Sequence, residues 1–371
     1  MANFCIHSKE MAEFIEQNWG KINAPFTAGI ELTAKCNLNC VHCYAQCDRN
    51  HKDMSTEEIK NIIDILVERG LLEVFFTGGE VFIREDFEEI YIYTKKKGVS
   101  VVILSNITLL NQHLIELFTI YPVQLISTTM YGYTEEVYEQ VTQTKGSYKK
   151  FMGALELLKV SGIRFELKFV AMKQNIRDLY KVRKLGVELG VDMIIGLDIR
   201  PMSDGNSLPV DLRISAEEAF EFDMKDKGRR EFWTNLAKEL YEEEKGIRPK
   251  RIRKRFEECY LYPCLVAFQF VFITSDCKMQ GCIKTSYVQY DLKNGSFDDG
   301  WKYLQKKLTE RKASDNFQCV KCDKSLFCEQ CTANFALEYN DEEIIDDFYC
   351  QIAEKRKKFV DDEKKKLNNN L

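Results

Sequence analysis

Histidine is scarce, with four in 371 residues, and no apolar stretch is long enough to cross a bilayer. The first shortage leaves Cys2His2-type zinc poorly supplied. The second excludes a spanning helix and, with it, a membrane partner. The start, Met1-Ala2-Asn3-Phe4-Cys5, lacks the charged-then-apolar plan of a secretory signal, so the sequence reads as cytoplasmic. Positive charge is also short: 53 Lys and Arg against 58 Asp and Glu leave a net charge of −5, which argues against a nucleic-acid-binding body. The basic run Pro249-Lys250-Arg251-Ile252-Arg253-Lys254-Arg255 is a local exception that reads as a solvated helix face. Cysteine, in contrast, is plentiful at fourteen. In a reducing compartment structural disulfides are disfavoured, and metal binding or redox work becomes the default use of so many thiols. The 45% hydrophobic content supplies a core for one large domain and a smaller one.

From Thr27 to Arg200 short β-rich runs alternate with amphipathic helical stretches, the pattern of repeated βα units and a parallel sheet. Strands are expected near Thr27–Leu32, Glu73–Thr77, Ser100–Ser105, Val123–Thr129, Arg164–Val170 and Asp192–Leu197. Ser55-Thr56-Glu57-Glu58 reads as a helix start, with Ile59, Ile62, Ile63 and Leu66 on one face and an end near Gly70. Six such units predict an α/β fold, a partial (β/α)6 TIM-like barrel whose active rim lies at the carboxyl ends of the strands. The expected divisions are an N-terminal segment (1–26), the barrel (27–210), a helical connector (211–258), a Cys-rich domain (259–351) and a charged tail (352–371) read as a fraying helix. Phe268-Gln269-Phe270-Val271-Phe272-Ile273 should be a strand leading into a hairpin.

Cys36-x3-Cys40-x2-Cys43 follows the first expected strand, and Gly78-Gly79-Glu80 follows the second. Ser105-Asn106 and Ser127 end the third and fourth. Three thiolates on a short loop can hold three irons of a [4Fe–4S] cluster and leave the fourth iron open for chemistry. The plainer readings are a zinc knuckle with Cys47 as fourth ligand and, for Gly78-Gly79 alone, a simple β-turn. The stretch Cys36-Asn37-Leu38-Asn39-Cys40-Val41-His42-Cys43 resembles the radical S-adenosylmethionine (radical SAM) family, with His42 in the aromatic slot before the third cysteine. The resemblance implies that S-adenosylmethionine chelates the open iron and is cleaved to a 5′-deoxyadenosyl radical by an electron from a flavodoxin or ferredoxin. It further implies that Gly78 and Gly79 admit the ligand closely and that Glu80 pairs with its ammonium. Ser105, Asn106 and Ser127 would then meet ribose or carboxylate.

Cys319-x2-Cys322-x5-Cys328-x2-Cys331, followed by Cys350 and preceded by Cys259, Cys264 and Cys282, resembles the SPASM extension of radical SAM enzymes that modify peptides. That implies two auxiliary [4Fe–4S] clusters, one held by Cys259, Cys264, Cys282 and Cys331 and one by Cys319, Cys322, Cys328 and Cys350. The two-residue spacing between Cys328 and Cys331 is one shorter than the family's usual spacing, and Cys259 is the weakest of the eight. A zinc ribbon of Cys319, Cys322, Cys328 and Cys331 is the bland alternative. Cys5, Cys47 and Cys277 remain. Cys47 and Cys277 are candidates to donate a hydrogen atom to a substrate radical, set against the reading of each as an inert buried thiol.

For substrate the resemblance points to a ribosomally made precursor peptide, oxidised or cross-linked. Tyr131-Gly132-Tyr133-Thr134-Glu135 and Val141-Thr142-Gln143-Thr144-Lys145-Gly146-Ser147 look like loop and helix starts of peptide-maturing members. About 26 residues precede the first strand, too few for a separate leader-binding domain, which leaves leader recognition to the barrel mouth or to another protein. Formylglycine formation of the sulfatase-maturase kind and peptide epimerisation share the mechanism. A zinc-stabilised binding protein without catalysis is the alternative from another class.

Overall fold

Capped amphipathic helices alternating with runs of β-branched and aromatic residues build six strands joined by five helical crossovers in the computed structural model, which describes residues 23–45, 51–250, 258–264 and 266–369. The strands are β1 (Thr27–Thr33), β2 (Glu73–Gly78), β3 (Ser100–Leu104), β4 (Leu125–Thr129), β5 (Phe165–Val170) and β6 (Met193–Gly196). Between them run α1 (Thr56–Glu68), α2 (Phe87–Lys96), α3 (Gln112–Ile120), α4 (Glu135–Thr142), α5 (Ser147–Ser161) and α6 (Leu179–Leu189). Helix α1 starts as its sequence requires: Ser55 and Glu58 form a reciprocal capping box, and Ile59, Ile62, Ile63 and Leu66 are the buried face.

All six strands are parallel to their neighbours, in the order β6-β5-β4-β3-β2-β1. Because side chains alternate across a strand, two faces emerge. Ala28, Ile30, Val74, Phe76, Val101, Ile103, Ile126, Leu167 and Phe169 share one face through the pairing register and are 2% exposed or less. The opposite face carries the polar residues Glu31, Thr77, Ser127, Glu166 and Lys168. A strand that buries both faces would be apolar on both, so these residues mark the working face.

The expected strand at Phe268–Ile273 exists as β7 (Phe270–Ile273), but it pairs in parallel with β1 on the side away from β2. β8 (Lys278–Gln280) and β9 (Gln289–Asp291) then follow as an antiparallel extension of the same sheet. The chain accordingly falls into two compact units. One runs to Arg213 and resumes over Leu265–Glu310; the other comprises Ile214–Cys264 and Arg311–Leu371. This differs from the division at 258/259 read from cysteine density, because strand pairing rather than cysteine spacing assigns the hairpin.

The second unit is helical, with α7 (Ala216–Lys225), α8 (Lys227–Glu244), α9 (Thr332–Tyr339) and α10 (Asp347–Asn369). Here the tail reading is corrected. Beneath its lysines, α10 carries an apolar stripe, and Ala353 and Val360 pack with Trp233, Leu236, Ala237 and Phe327 in one core. Val360 is wholly buried. Val360→Asp should destabilise this unit by about 3 kcal/mol or more, the cost of an unpaired buried charge, read as a lowered thermal midpoint. Among the described residues no helix is long and apolar enough to cross a membrane.

Candidate metal centre and cofactor site

β1 ends in a register shift between Glu31 and Thr33, and the cysteine loop begins there. Its stem is pinned by Asp53, which accepts from the Thr33 hydroxyl (2.7 Å) and from the Ala34 amide (3.0 Å). Farther along, the amides of Asn39 and Val41 donate to the carbonyls of Thr142 and Val141, both 3.0 Å. These carbonyls lie in the last turn of α4, where helix geometry leaves acceptors open. Cys36, Cys40 and Cys43 therefore sit on a loop held at both ends. The Leu38 amide donates to Cys36 Sγ (3.4 Å), Tyr131 hydrogen-bonds Cys40, and Cys43 Sγ donates to the Ala45 carbonyl (3.0 Å). Burial pushes the Cys40 thiol far above its ordinary range, and the neighbouring Cys43 and Cys36 push it further. Three thiolates crowded this way repel one another until cations come between them, so the donor set fits iron of a cluster.

The two glycines bring the end of β2 under this loop. A Cβ at Gly78, whose φ is 154°, would lie 2.3 Å from the Thr33 carbonyl oxygen. One at Gly79 would lie 2.2 Å from the Lys35 oxygen and 2.9 Å from Cys36 Cβ. The amides of Gly79 and Glu80 instead donate to the Thr33 and Lys35 carbonyls, both at 2.8 Å. Gly79→Ala should force the loop aside, costing about 1–3 kcal/mol and lowering the iron retained after reconstitution. Iron assay together with thermal melting checks both.

Glu80, expected to pair with an ammonium, takes three donors from within the chain. It is completely buried, and its carboxylate accepts from the Phe82 amide (3.1 Å), the Ser105 hydroxyl (2.8 Å) and the Asn106 amide (2.8 Å). Burial pushes its carboxyl up to about 7 against the opposing pull of these donors. Its oxygens join β2 to β3. Ser105 is likewise occupied, since its hydroxyl also accepts from the Ile107 amide (2.8 Å). Asn106 reaches the cysteine loop: its amide group donates to Asn37 Oδ1 (3.0 Å) and lies 3.8 Å from Cys36 Sγ. Thr108 closes the ring, donating to Asn106 Oδ1 (2.6 Å) and accepting from Asn37 (2.7 Å). Asp53, Asn37 and Thr108 were missed in the sequence. Only Asn37, inside the motif, carried a signal that could have found it.

Ser127 is buried and donates to its cross-strand partner Glu166 at 2.5 Å, with Lys168 Nζ 3.9 Å from the same carboxylate. His42 packs its ring 4.9 Å from that of Tyr131, and its buried Nδ1 has no partner. Burial lowers its pKa to about 4, so the ring is neutral at pH 7. Cys47 and Cys5 lie outside the described residues. Cys277 is buried, with φ 70°, on the wall of a cavity of about 370 Å³ beside Glu58, Ile62, Ile65, Arg69 and Phe297. Its charged neighbours are Glu58, Lys293, Asp291 and Asp276, which gives no support to a hydrogen-donor role; β7 and its turn carry it against α1 instead.

In the second unit Cys319, Cys322, Cys328 and Cys350 are gathered. Burial first, then Cys350, Cys328 and Cys322, push the Cys319 thiol up to about 12, and burial raises Cys328 to about 11. The Lys324 amide donates to Cys322 Sγ (3.4 Å). Cys331, which a zinc ribbon would require, is not among the thiols acting on Cys319 and instead stands at the N-cap of α9. Cys259 and the exposed Cys264 belong to the second unit, and Cys282 belongs to the first. Among the described residues no three His, Cys, Asp or Glu side chains close around a single ion; thiolates capping a cubane meet separate irons and stand farther apart than that.

Residues 30–186 match the Radical SAM superfamily. The chain carries a Radical SAM domain. An AdoMet-dependent heme synthase of Methanosarcina barkeri is 31% identical over 170 residues, 45% of this chain and 49% of that protein. AlbA, the antilisterial bacteriocin subtilosin biosynthesis protein of Bacillus subtilis, is 31% identical over 170 residues, 44% of this chain and 38% of the other. The chain thus spans about half the length, or less, of these curated relatives. Likeness of fold extends further than the sequence match: SuiB of Streptococcus suis, solved with the precursor peptide SuiA, aligns with a TM-score of 0.66 at 16% identity, over 92% of this chain and 79% of SuiB.

Proposed function

We propose that the chain cleaves S-adenosylmethionine reductively and abstracts hydrogen from a ribosomally made precursor peptide, oxidising or cross-linking it. The observation that carries this is the convergence of Cys36, Cys40 and Cys43 on one pinned loop at the strand ends of a Radical SAM domain. Cys36, Cys40 and Cys43 would hold a [4Fe–4S] cluster, which with S-adenosylmethionine would supply a 5′-deoxyadenosyl radical. The chain's own residues do the rest. Asp53 and the last carbonyls of α4 hold the loop; Leu38 and Asn106 offer N–H groups to Cys36, which tunes a cluster's potential. Neutral His42 and Tyr131 wall the site from water. Cys319, Cys322, Cys328 and Cys350 would hold an auxiliary cluster that takes an electron from the substrate. AlbA and the SuiB–SuiA structure support a peptide as substrate. A flavodoxin or ferredoxin would supply the first electron, and a separate protein could present the leader.

The test is anaerobic reconstitution, reduction with dithionite, chromatography for 5′-deoxyadenosine and mass spectrometry of a short peptide encoded beside this chain. A mass loss in the peptide matched by 5′-deoxyadenosine is expected. Zinc as the bound metal, with no iron, overturns the proposal. An iron porphyrin is the second reading, favoured by the likeness to the heme synthase. Product formed with the porphyrin and not with the peptide would establish it.

A further inference from the structure

Arg356 is an unusual residue to find inside a helical unit. It is 1% exposed, the largest of the wholly buried side chains among the described residues. From α10, which also carries Cys350, its Nε donates to Asp223 Oδ2 (2.6 Å) and its Nη1 to the carbonyl of Phe327 (3.2 Å), the residue before Cys328. The guanidinium lies 4.9 Å from the Trp233 ring. Asp223, itself fully buried, also binds Arg229, and Glu329 stands 3.5 Å from both arginines. Two features exceed what a structural ion pair needs. Arg356 Nη2 is buried without any acceptor, although buried donors are almost always satisfied. And Cys328, one of the four gathered thiols, packs against the same core of Trp233, Phe327 and Ala353 that encloses Arg356.

We infer that Arg356 is a positioning residue for an iron–sulfur cluster held by Cys319, Cys322, Cys328 and Cys350. It ties the Cys328 loop to the helix of Cys350 and raises the cluster's reduction potential with a buried cation. This rests on the auxiliary-cluster part of the proposed function. A cubane with four thiolates is an anion that gains one more negative charge on reduction, so a nearby cation favours the reduced state. Sulfur atoms of such a cluster would supply acceptors for the unpaired Nη2 donors. Asp223 opposes the effect by partly neutralising the guanidinium.

The experiment uses the full chain with Cys36, Cys40 and Cys43 changed to alanine, so that iron signals come from elsewhere. The electron paramagnetic resonance signal lost on further Cys319→Ala is assigned to this set, and its midpoint is found by redox titration. Arg356→Gln should shift that midpoint to more negative potential. Asp223→Asn, which leaves the guanidinium uncompensated, should shift it to more positive potential, and Arg356→Lys should stay nearer the parent. Opposite shifts from Arg356 and Asp223 support the inference, and Asp223→Asn alone decides it should Arg356→Gln not fold. Unchanged midpoints, or shifts of the same sign, overturn it. If Cys319→Ala removes no iron signal, the auxiliary-cluster reading fails instead.

Discussion

Alanine at Cys40 should abolish 5′-deoxyadenosine formation, lowering the dithionite-driven rate by more than about 100-fold, the upper range for losing a mere outer-shell partner of a metal site. Cys40 is the sharpest of the three positions to change, because both other thiols act on it and Tyr131 hydrogen-bonds it. Losing it leaves two thiolates for a cluster that needs three, with the stem of the loop still pinned by Asp53. Iron content should fall but not vanish, since Cys319, Cys322, Cys328 and Cys350 lie in the other unit. Cys277→Ala is the matched control. Its side chain faces a cavity with Ile62, Ile65 and Phe297, and the rate should be unchanged. An undiminished rate in Cys40→Ala would remove the cluster from the mechanism altogether.

The βα alternation was legible because each element is specified locally. The six expected strands agree with the observed ones to within two residues at each end, and the capping box at Ser55 and Glu58 appears where the sequence places it. The cysteine spacing was legible for a related reason: metal ligands on one short loop must be close whatever the rest of the chain does. What depended on tertiary pairing was not legible. That β7 would extend the barrel sheet follows from its neighbour β1, more than two hundred residues earlier in the chain, and nothing in Phe270–Ile273 names that partner. The burial of Arg356 is equally hidden, because in sequence it is one cation among Lys355, Lys357 and Lys358. Glu80 was found, but the donors it takes from the neighbouring strand were not foreseen. A carboxylate after two glycines at a strand end can face a ligand or the next strand, and only the positions of Ser105 and Asn106 decide which.

That decision leads to a graded prediction. Glu80→Ala should destabilise the first unit by about 3 kcal/mol or more, because it leaves the Phe82 amide, the Ser105 hydroxyl and the Asn106 amide without their acceptor in a site closed to water. Glu80→Gln should cost less. Its carbonyl can replace the oxygen that takes Phe82 and Ser105, but its NH2 group then confronts the Asn106 amide, donor against donor. The damage in Gln is therefore concentrated at Asn106, the residue whose side chain reaches Asn37 and Cys36. Glu80→Gln should retain most of its fold, measured by thermal melting, yet bind the reconstituted cluster less firmly, measured as faster iron loss to a chelator. If glutamine and alanine are equally stable, or if iron retention in Glu80→Gln matches wild type, Glu80 does not act through Asn106.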